Sequence, residues 1–411
     1  MGQIIVGIDI GTSKVCTVIG QVNRDNQVEI LGRGMEPCNG VKKGVIIDIE
    51  STANAIKNSV ERAESMANVR VGSAYVNIMG THVSIISKRS GINVANENRE
   101  ISAKDVEKVI YAAKDVEIPE DRQIIDIIPR QYIIDGYDEI IDPVGMVGLR
   151  LEVDTDVVAG KITSVQNIVK SMEKAGLKID GLVVEAMASG EILLTVEEKE
   201  MGVILIDVGG GITDISVFQN KKLVFYDSLP IGGDHITSDI SIGLKIPYAE
   251  AEKIKRQYEL ALTSLIKNDQ EFSVNEINDN RKKTVRVSEV VEIIEARVYE
   301  IFSLCHDLLN KSNIVGNYGA GVVLSGGGIS YVDGSTQLAN EVFEIPARVA
   351  ACKTSVVSKP EYATAAGIIK YVSSNSKGSS HGSEIKIQKQ KTVKSESGFF
   401  KKLSKIFSDF F

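Results

Sequence analysis

The sequence predicts an α/β protein of two related lobes, with a small α+β subdomain inserted into the first, a disordered linker and a C-terminal amphipathic helix. Three observations predict it. A strand–glycine turn–strand pattern occurs twice, at residues 4–19 and 203–218. Aliphatic strand runs alternate with helical periodicity through most of the chain. After Tyr371 core-forming residues give way to Ser, Lys, Gly and Gln.

The repeated pattern organises the rest. In the second copy an aliphatic run from Val203 ends at Asp207, three glycines follow (Gly209, Gly210, Gly211), and a β pattern resumes from Ile212 through Thr213 to Phe218. In the first copy the run from Ile4 ends at Asp9, and Gly11, Thr12, Ser13 and Lys14 make the turn. Glycine takes positive φ and lets backbone amides close on a ligand. A cluster of bare amides is an anion cradle. An aspartate at the lip repels a phosphate, but it can hold a divalent cation that phosphates also coordinate. Two copies, their aspartates 198 residues apart, point to two halves facing one polyphosphate. Each charge-assisted amide bond contributes about 1.5–3 kcal/mol, so contacts from both sides add up. Lys14 can reach a phosphate from its hairpin; a solvated turn lysine is the plain alternative.

Composition narrows the class. The chain has 411 residues, a formal charge of −8 and 43% hydrophobic residues. That suits a soluble protein of two or more domains, and no basic body suggests nucleic acid. Cys16, Cys38, Cys305 and Cys352 lack metal or disulfide spacing and read as buried free thiols. No signal peptide or bilayer-spanning run is expected.

In order, strands are predicted at 4–10, 15–20 and 28–32, a helix at 51–64 capped by Ser51, and a strand at 74–79. Residues 84–164 read as the inserted α+β subdomain: a helix at 101–113 capped by Ser102, then two strand-like runs at 123–129 and 131–134. A helix at 162–175 follows. A short strand then leads into a helix over 182–194, and Glu185 stands at their junction, where it can orient a water for attack on a phosphate or simply cap the helix. Gly232 and Gly233 open a helix after the strand at 223–229. Glu252 and Lys255 share one face of a helix at 249–256. His235 stands alone and is structural. A long helix starts near 287 with Ser288 as its cap, beside a basic edge of Arg281, Lys282, Lys283 and Arg286. Val322–Ser325 runs into a third glycine turn containing Gly326 and Gly327, where a base or ribose can lie against bare backbone.

The tail is a linker at 373–397 and a helix at 398–411. Phe399, Phe400, Leu403, Ile406, Phe407, Phe410 and Phe411 fall on one helical face; Lys401, Lys402 and Lys405 lie mainly elsewhere. Such a helix is about 20 Å long and cannot span a hydrocarbon core of about 30 Å, but it can lie in the interface. From Ser373 onward eight lysines stand against three acidic residues, which suits an anionic lipid membrane. One copy binds weakly and an array strongly. Docking on the body or on a partner protein is the alternative.

The two hairpins, the junction at 182–194 and the turn Ser325-Gly-Gly-Gly328 together resemble the actin, sugar-kinase and heat-shock ATPase superfamily. Within it the chain is similar, over essentially its whole length, to the FtsA family of bacterial cell-division proteins. The specific signals are Gly11-Thr-Ser-Lys14, residues 142–152, Glu198-Lys-Glu-Met-Gly202, Pro230-Ile-Gly-Gly-Asp234, residues 251–255 and the terminal helix. The resemblance implies an actin-like (ribonuclease-H-like) two-lobe ATPase fold. Subdomain 1A would comprise 1–83, 165–198 and 356–372, with 1C at 84–164, 2A at 199–228 and 301–355, and 2B at 229–300. ATP with Mg²⁺ is the implied cofactor. Gly11, Thr12, Ser13 and Lys14 would meet its phosphates from one lobe, and Gly209, Gly210, Gly211 and Thr213 from the other. Asp9 and Asp207 would sit around Mg²⁺, with Glu185 and Asp207 as catalytic residues. Gly233, Glu252, Lys255, Gly326 and Gly327 would meet the nucleoside. Any hydrolysis would be slow and would switch filament state.

The implied partners are FtsZ, further copies of the chain, other divisome proteins and the cytoplasmic face of the membrane at the division site. The FtsZ C-terminal tail would dock on 229–300, with Arg297 and Arg286 as contacts. The chain departs from the family's usual pattern at Asp156, at Glu259 and across Arg348–Cys352. A sugar-type metabolic kinase would share the fold, but it needs a catalytic base and a polar sugar pocket, for which the sequence offers no clear candidate.

Overall fold

The computed structural model describes residues 2–23, 27–277, 282–312, 318–350 and 359–375. Its framework is a pair of five-stranded sheets with one shared plan. In the first, the order is Lys178–Val184, Ser73–Ile78, Gln3–Ile10, Lys14–Val22, Val28–Pro37. In the second, it is Ala347–Val349, Val322–Ser325, Val203–Val208, Thr213–Gln219, Lys222–Leu229. Both sheets run parallel up to the first strand of the glycine hairpin and antiparallel beyond it. The sequence echo is thus an echo of topology.

Burial explains the sequence pattern of these strands. Val203–Val208 is covered on both faces, so it reads as an unbroken aliphatic run rather than an alternation. Ile8, Ile19 and Ile56 are fully buried in the first lobe, and Ile206, Ile215 and Phe302 in the second. Each such side chain contributes about 1.5–3 kcal/mol. The helix Ala363–Asn375 returns to the first lobe and lies on its hairpin. A Cβ on Gly7 would stand 2.2 Å from the Ala365 carbonyl oxygen, and one on Gly367 2.0 Å from that of Ala188. Bare glycines let this helix seat closely.

Between Ser73–Ile78 and the helix Ile162–Lys174 the chain builds a separate unit. Its sheet runs Val83–Asn93, Arg150–Lys161, Arg122–Ile134, Tyr137–Ile140. The helix Ala103–Ala112 covers one face with its own small core around Val106, Val109, Tyr132 and Leu151.

Three local expectations need correction. The helix at 49–67 is capped by Asp48, not Ser51; the Asp48 carboxylate accepts from the amides of Glu50 and Ser51 at 2.9 and 3.1 Å. Ser288 does not cap the long helix Val287–Lys311. It donates to Asp269 instead, while Glu289 accepts from the Arg286 amide at 3.0 Å. The two runs at 123–134 form one strand, because a bulge at Arg130 absorbs the break that Pro129 signals. Ser102 stands at the N-cap of its helix as expected, but there its amide and hydroxyl both donate to the Asp105 carboxylate, at 3.1 and 2.6 Å.

Candidate functional site: a cleft between two glycine hairpins

Each hairpin closes its turn with the same bond at the same offset. The Gly11 amide donates to the Lys14 carbonyl at 3.0 Å, and the Gly209 amide to the Ile212 carbonyl at 2.9 Å. The turns stand tip to tip across a cleft. A Cβ on Gly210 would lie 2.5 Å from Ser13 Oγ, and one on Gly211 2.7 Å from Thr12 Cγ2. The third turn closes the floor. Gly326 has φ +93°, and a Cβ there would lie 2.3 Å from the Val208 carbonyl oxygen and 2.5 Å from Asp207 Oδ1. Only glycine fits that conformation and that gap.

Asp9, Gly11, Thr12, Ser13, Lys14, Asp207, Gly209, Gly210, Gly326, Gly327 and Glu185 line this one cleft. Gly211, Thr213, Gly233, Glu252 and Lys255 are not among its lining residues. Thr213 is fully buried and donates to the Ile231 carbonyl at 2.8 Å, which removes it as a phosphate contact. Gly233 spends its amide on the Gly209 carbonyl at 2.9 Å, tying its helix to the second turn. Glu252 and Lys255 pair at 2.7 Å, and Lys255 donates to the Gly233 carbonyl at 3.0 Å. They buttress that helix start rather than decorate a solvated face.

Several lining residues carried no sequence prediction. Asp214 faces Asp207 across the second hairpin, as Cys16 faces Asp9 across the first. Its offset of seven from Asp207 was the available signal. Asn77 donates to Asp9 Oδ1 at 2.7 Å and Glu185 Oε2 at 3.2 Å, while accepting from the Ile10 amide at 2.8 Å. A lone amide in an aliphatic strand hinted at this clamp. Glu361 and Thr364 arrive from a distant part of the chain, and nothing local announced them.

The cleft concentrates negative charge. Burial, then repulsion from Asp207, pushes Asp9 up to about 7. Burial pushes Asp207 up to about 6, against the pull of nearby Ser325 and Lys14. Burial also pushes Asp214 up to about 7, opposed by a hydrogen bond from Ser228. Glu185 is raised well above the usual range, by burial first and then by the charges of Asp214, Asp9 and Asp207. Such a set favours a counter-cation. Among the described residues no three His, Cys, Asp or Glu side chains converge to hold a metal alone. That donor set fits an ion of the Mg²⁺ type, held by one or two carboxylates with water and phosphate oxygens.

The expected partner residues are not among those lining the cleft. Arg297 forks onto Asp239 at 2.5 and 2.9 Å and also pairs with Glu300. Arg286 is largely exposed, 3.3 Å from Glu271. Phe399, Phe400, Lys401, Lys402, Leu403, Lys405, Ile406, Phe407, Phe410 and Phe411 lie outside the described residues. Among the described residues no helix is long and apolar enough to cross a membrane.

Comparison with known proteins places this geometry in a family. Residues 204–367 match the model of cell division protein FtsA, and residues 80–159 that of the SHS2 domain inserted in FtsA. Cell division protein FtsA of Pseudomonas aeruginosa is 38% identical over 375 residues, covering 90% of this chain and 89% of the relative. FtsA of Bacillus subtilis is 38% identical over 375 residues, covering 91% and 84%. The fold is actin-like: MreB5 of Spiroplasma citri superposes with a TM-score of 0.54 at 15% identity, covering 92% of this chain and 99% of that one. With curated relatives this similar over most of both chains, the chain belongs to the FtsA family of cell-division proteins.

Proposed function

We propose that this chain is an actin homologue that binds ATP with Mg²⁺ in the cleft, polymerises, and tethers FtsZ filaments to the cytoplasmic face of the membrane during division. The observation that carries the nucleotide part is the pair of glycine turns standing tip to tip, each following a strand that ends in aspartate. The solved MreB5 relative is bound to ADP. Thr12, Ser13 and Lys14 meet the phosphates from the first lobe, and the amide of Gly210 from the second, the Gly209 amide being spent on closing its turn. Mg²⁺, when bound, neutralises phosphate charge and the raised carboxylates together. Asp9 and Asp207 are its holders, and Asn77 fixes the direction of Asp9 and Glu185. Glu185 is the residue best set to orient an attacking water, and Asp207 assists from the opposite hairpin.

The tether is assigned to residues 398–411, which the sequence predicts as a helix. Its lysine-flanked aromatic face suits an anionic leaflet, and filament formation multiplies many weak attachments. The FtsZ tail is assigned to the helical subdomain bearing Arg297 and Arg286.

Pelleting with vesicles containing phosphatidylglycerol tests both parts at once. The full chain is expected to pellet, more so with ATP and Mg²⁺, and a form ending at Ser397 to stay in solution. Equal pelleting of both forms removes the tether. Indifference to ATP removes the link between nucleotide and assembly.

A further inference from the structure

One carboxylate in the cleft has two partners, one on each lobe. Glu361 stands in the short turn before the helix Ala363–Asn375, on the first lobe. Its Oε1 lies 3.8 Å from Lys14 Nζ. Its Oε2 accepts from the hydroxyl of Tyr331 at 2.9 Å. Tyr331 follows the third glycine turn and so belongs to the second lobe. The bond to Tyr331 is a charge-assisted hydrogen bond; the separation from Lys14 is a looser ion pair beyond hydrogen-bond range.

The surroundings make this more than surface decoration. Among the described residues, Lys14 is the one basic side chain lining the cleft. Asp9, Asp207, Asp214 and Glu185 already load the cleft with acid, so a further carboxylate is held there against repulsion. Glu361 is 17% exposed and Lys14 28%. Gly327 leaves room directly over the pair: a Cβ there would lie 3.0 Å from Lys14 Nζ and 3.3 Å from Glu361 Cγ.

We propose that Glu361 is a built-in competitor for Lys14, holding the lysine where a nucleotide phosphate would take it and carrying the outcome across the cleft through Tyr331. This rests on the nucleotide reading of the cleft. A di- or triphosphate carries more negative charge than one carboxylate and displaces it from Lys14. Glu361 then keeps Tyr331 as its remaining partner, which binds the two walls more firmly. Glu361 and Tyr331 are positioning residues; Lys14 is the group that touches phosphate.

Calorimetric titration of the full chain with ADP or ATP, each with Mg²⁺, tests this. Glu361→Gln keeps an acceptor for Tyr331 and removes the competing charge. It is expected to tighten both nucleotides about two- to fivefold, the scale of one partly screened ion pair. In a Lys14→Gln background the same change is expected to do nothing. Tyr331→Phe leaves the charge and removes the bond across the cleft, so release of a fluorescent ADP analogue speeds up. The proposal is overturned if Glu361→Gln binds no tighter, if its gain survives the loss of Lys14, or if Tyr331→Phe releases ADP at the parent rate. A parent chain that binds neither nucleotide overturns the reading of the cleft itself. A parent that binds, with unresponsive variants, overturns only the role of Glu361.

Discussion

At the scale of single residues, the carboxylates of the cleft set the balance between stability and binding. A carboxylate whose folded pKa is raised from 3.8 to about 7 holds a proton that the unfolded chain has already lost. The native state therefore binds more protons between about pH 4 and 7, and stability falls as pH rises through that window. We expect metal-free protein to melt at a lower temperature at pH 8 than at pH 5. Asp214→Asn should recover part of the difference at pH 8 and none below pH 4, as read by melting curves in chelator. The same substitution should weaken the response to Mg²⁺. Gly326 is the second sensitive position. Alanine there meets both a positive φ and a carbonyl oxygen at 2.3 Å. Gly326→Ala should cost about 1–3 kcal/mol of stability in denaturant titration and weaken nucleotide binding.

Among the elements, helix starts and helix seats decide most. Asp48 accepts two amides at the head of the helix Ile49–Ala67. Its loss in Asp48→Ala should cost about 1 kcal/mol, whereas Ser51→Ala should be near neutral. Chemical unfolding of the two variants separates the caps, and the reverse order would restore the sequence expectation. The helix Ala363–Asn375 shows a different control. Gly7 and Gly367 leave no space for a Cβ, so alanine at Gly7 must lift the helix from the first hairpin, and alanine at Gly367 must push it off the helix Glu185–Leu193. That movement carries Glu361 and Thr364 with it, since both stand at the head of this helix and line the cleft. Gly367→Ala should therefore lower stability and nucleotide affinity together, whereas a simple packing defect would lower stability alone.

Across the whole molecule, the cleft lies between two lobes that also share apolar contact, since Val203, Leu205, Phe218 and Val323 of the second sheet belong to the same buried cluster as Ile8 and Ile56. A ligand that bridges them stabilises both. At a hundred times its dissociation constant the gain is about 2.7 kcal/mol, and Mg²⁺ with ATP should merge any separate unfolding steps into one in calorimetry. Arg297 raises a competition at the far end of the second lobe. Its guanidinium is occupied by Asp239 and Glu300, so an acidic peptide must displace them. Arg297→Ala should weaken capture of an FtsZ tail peptide by about 1–3 kcal/mol. Asp239→Asn, which frees the arginine, should strengthen it; opposite signs in fluorescence anisotropy would exclude Arg297 as a contact.

What was legible in the sequence is what local order encodes. Strand runs buried on both faces, glycine turns after aspartate, and the doubled hairpin can each be read within about fifteen residues, because backbone conformation and burial imprint directly on residue type. The pairing of Asp9 with Asp207 in one cleft followed from that doubling. Tertiary structure alone decided the contacts that join distant segments. It brought Asn77, Asp214 and Glu361 to the same cleft and turned Thr213 inward to Ile231. It also gave the capping roles to Asp48 and Glu289. Side-chain direction and long-range proximity depend on how whole elements pack, and a single residue's identity carries little trace of a partner hundreds of positions away.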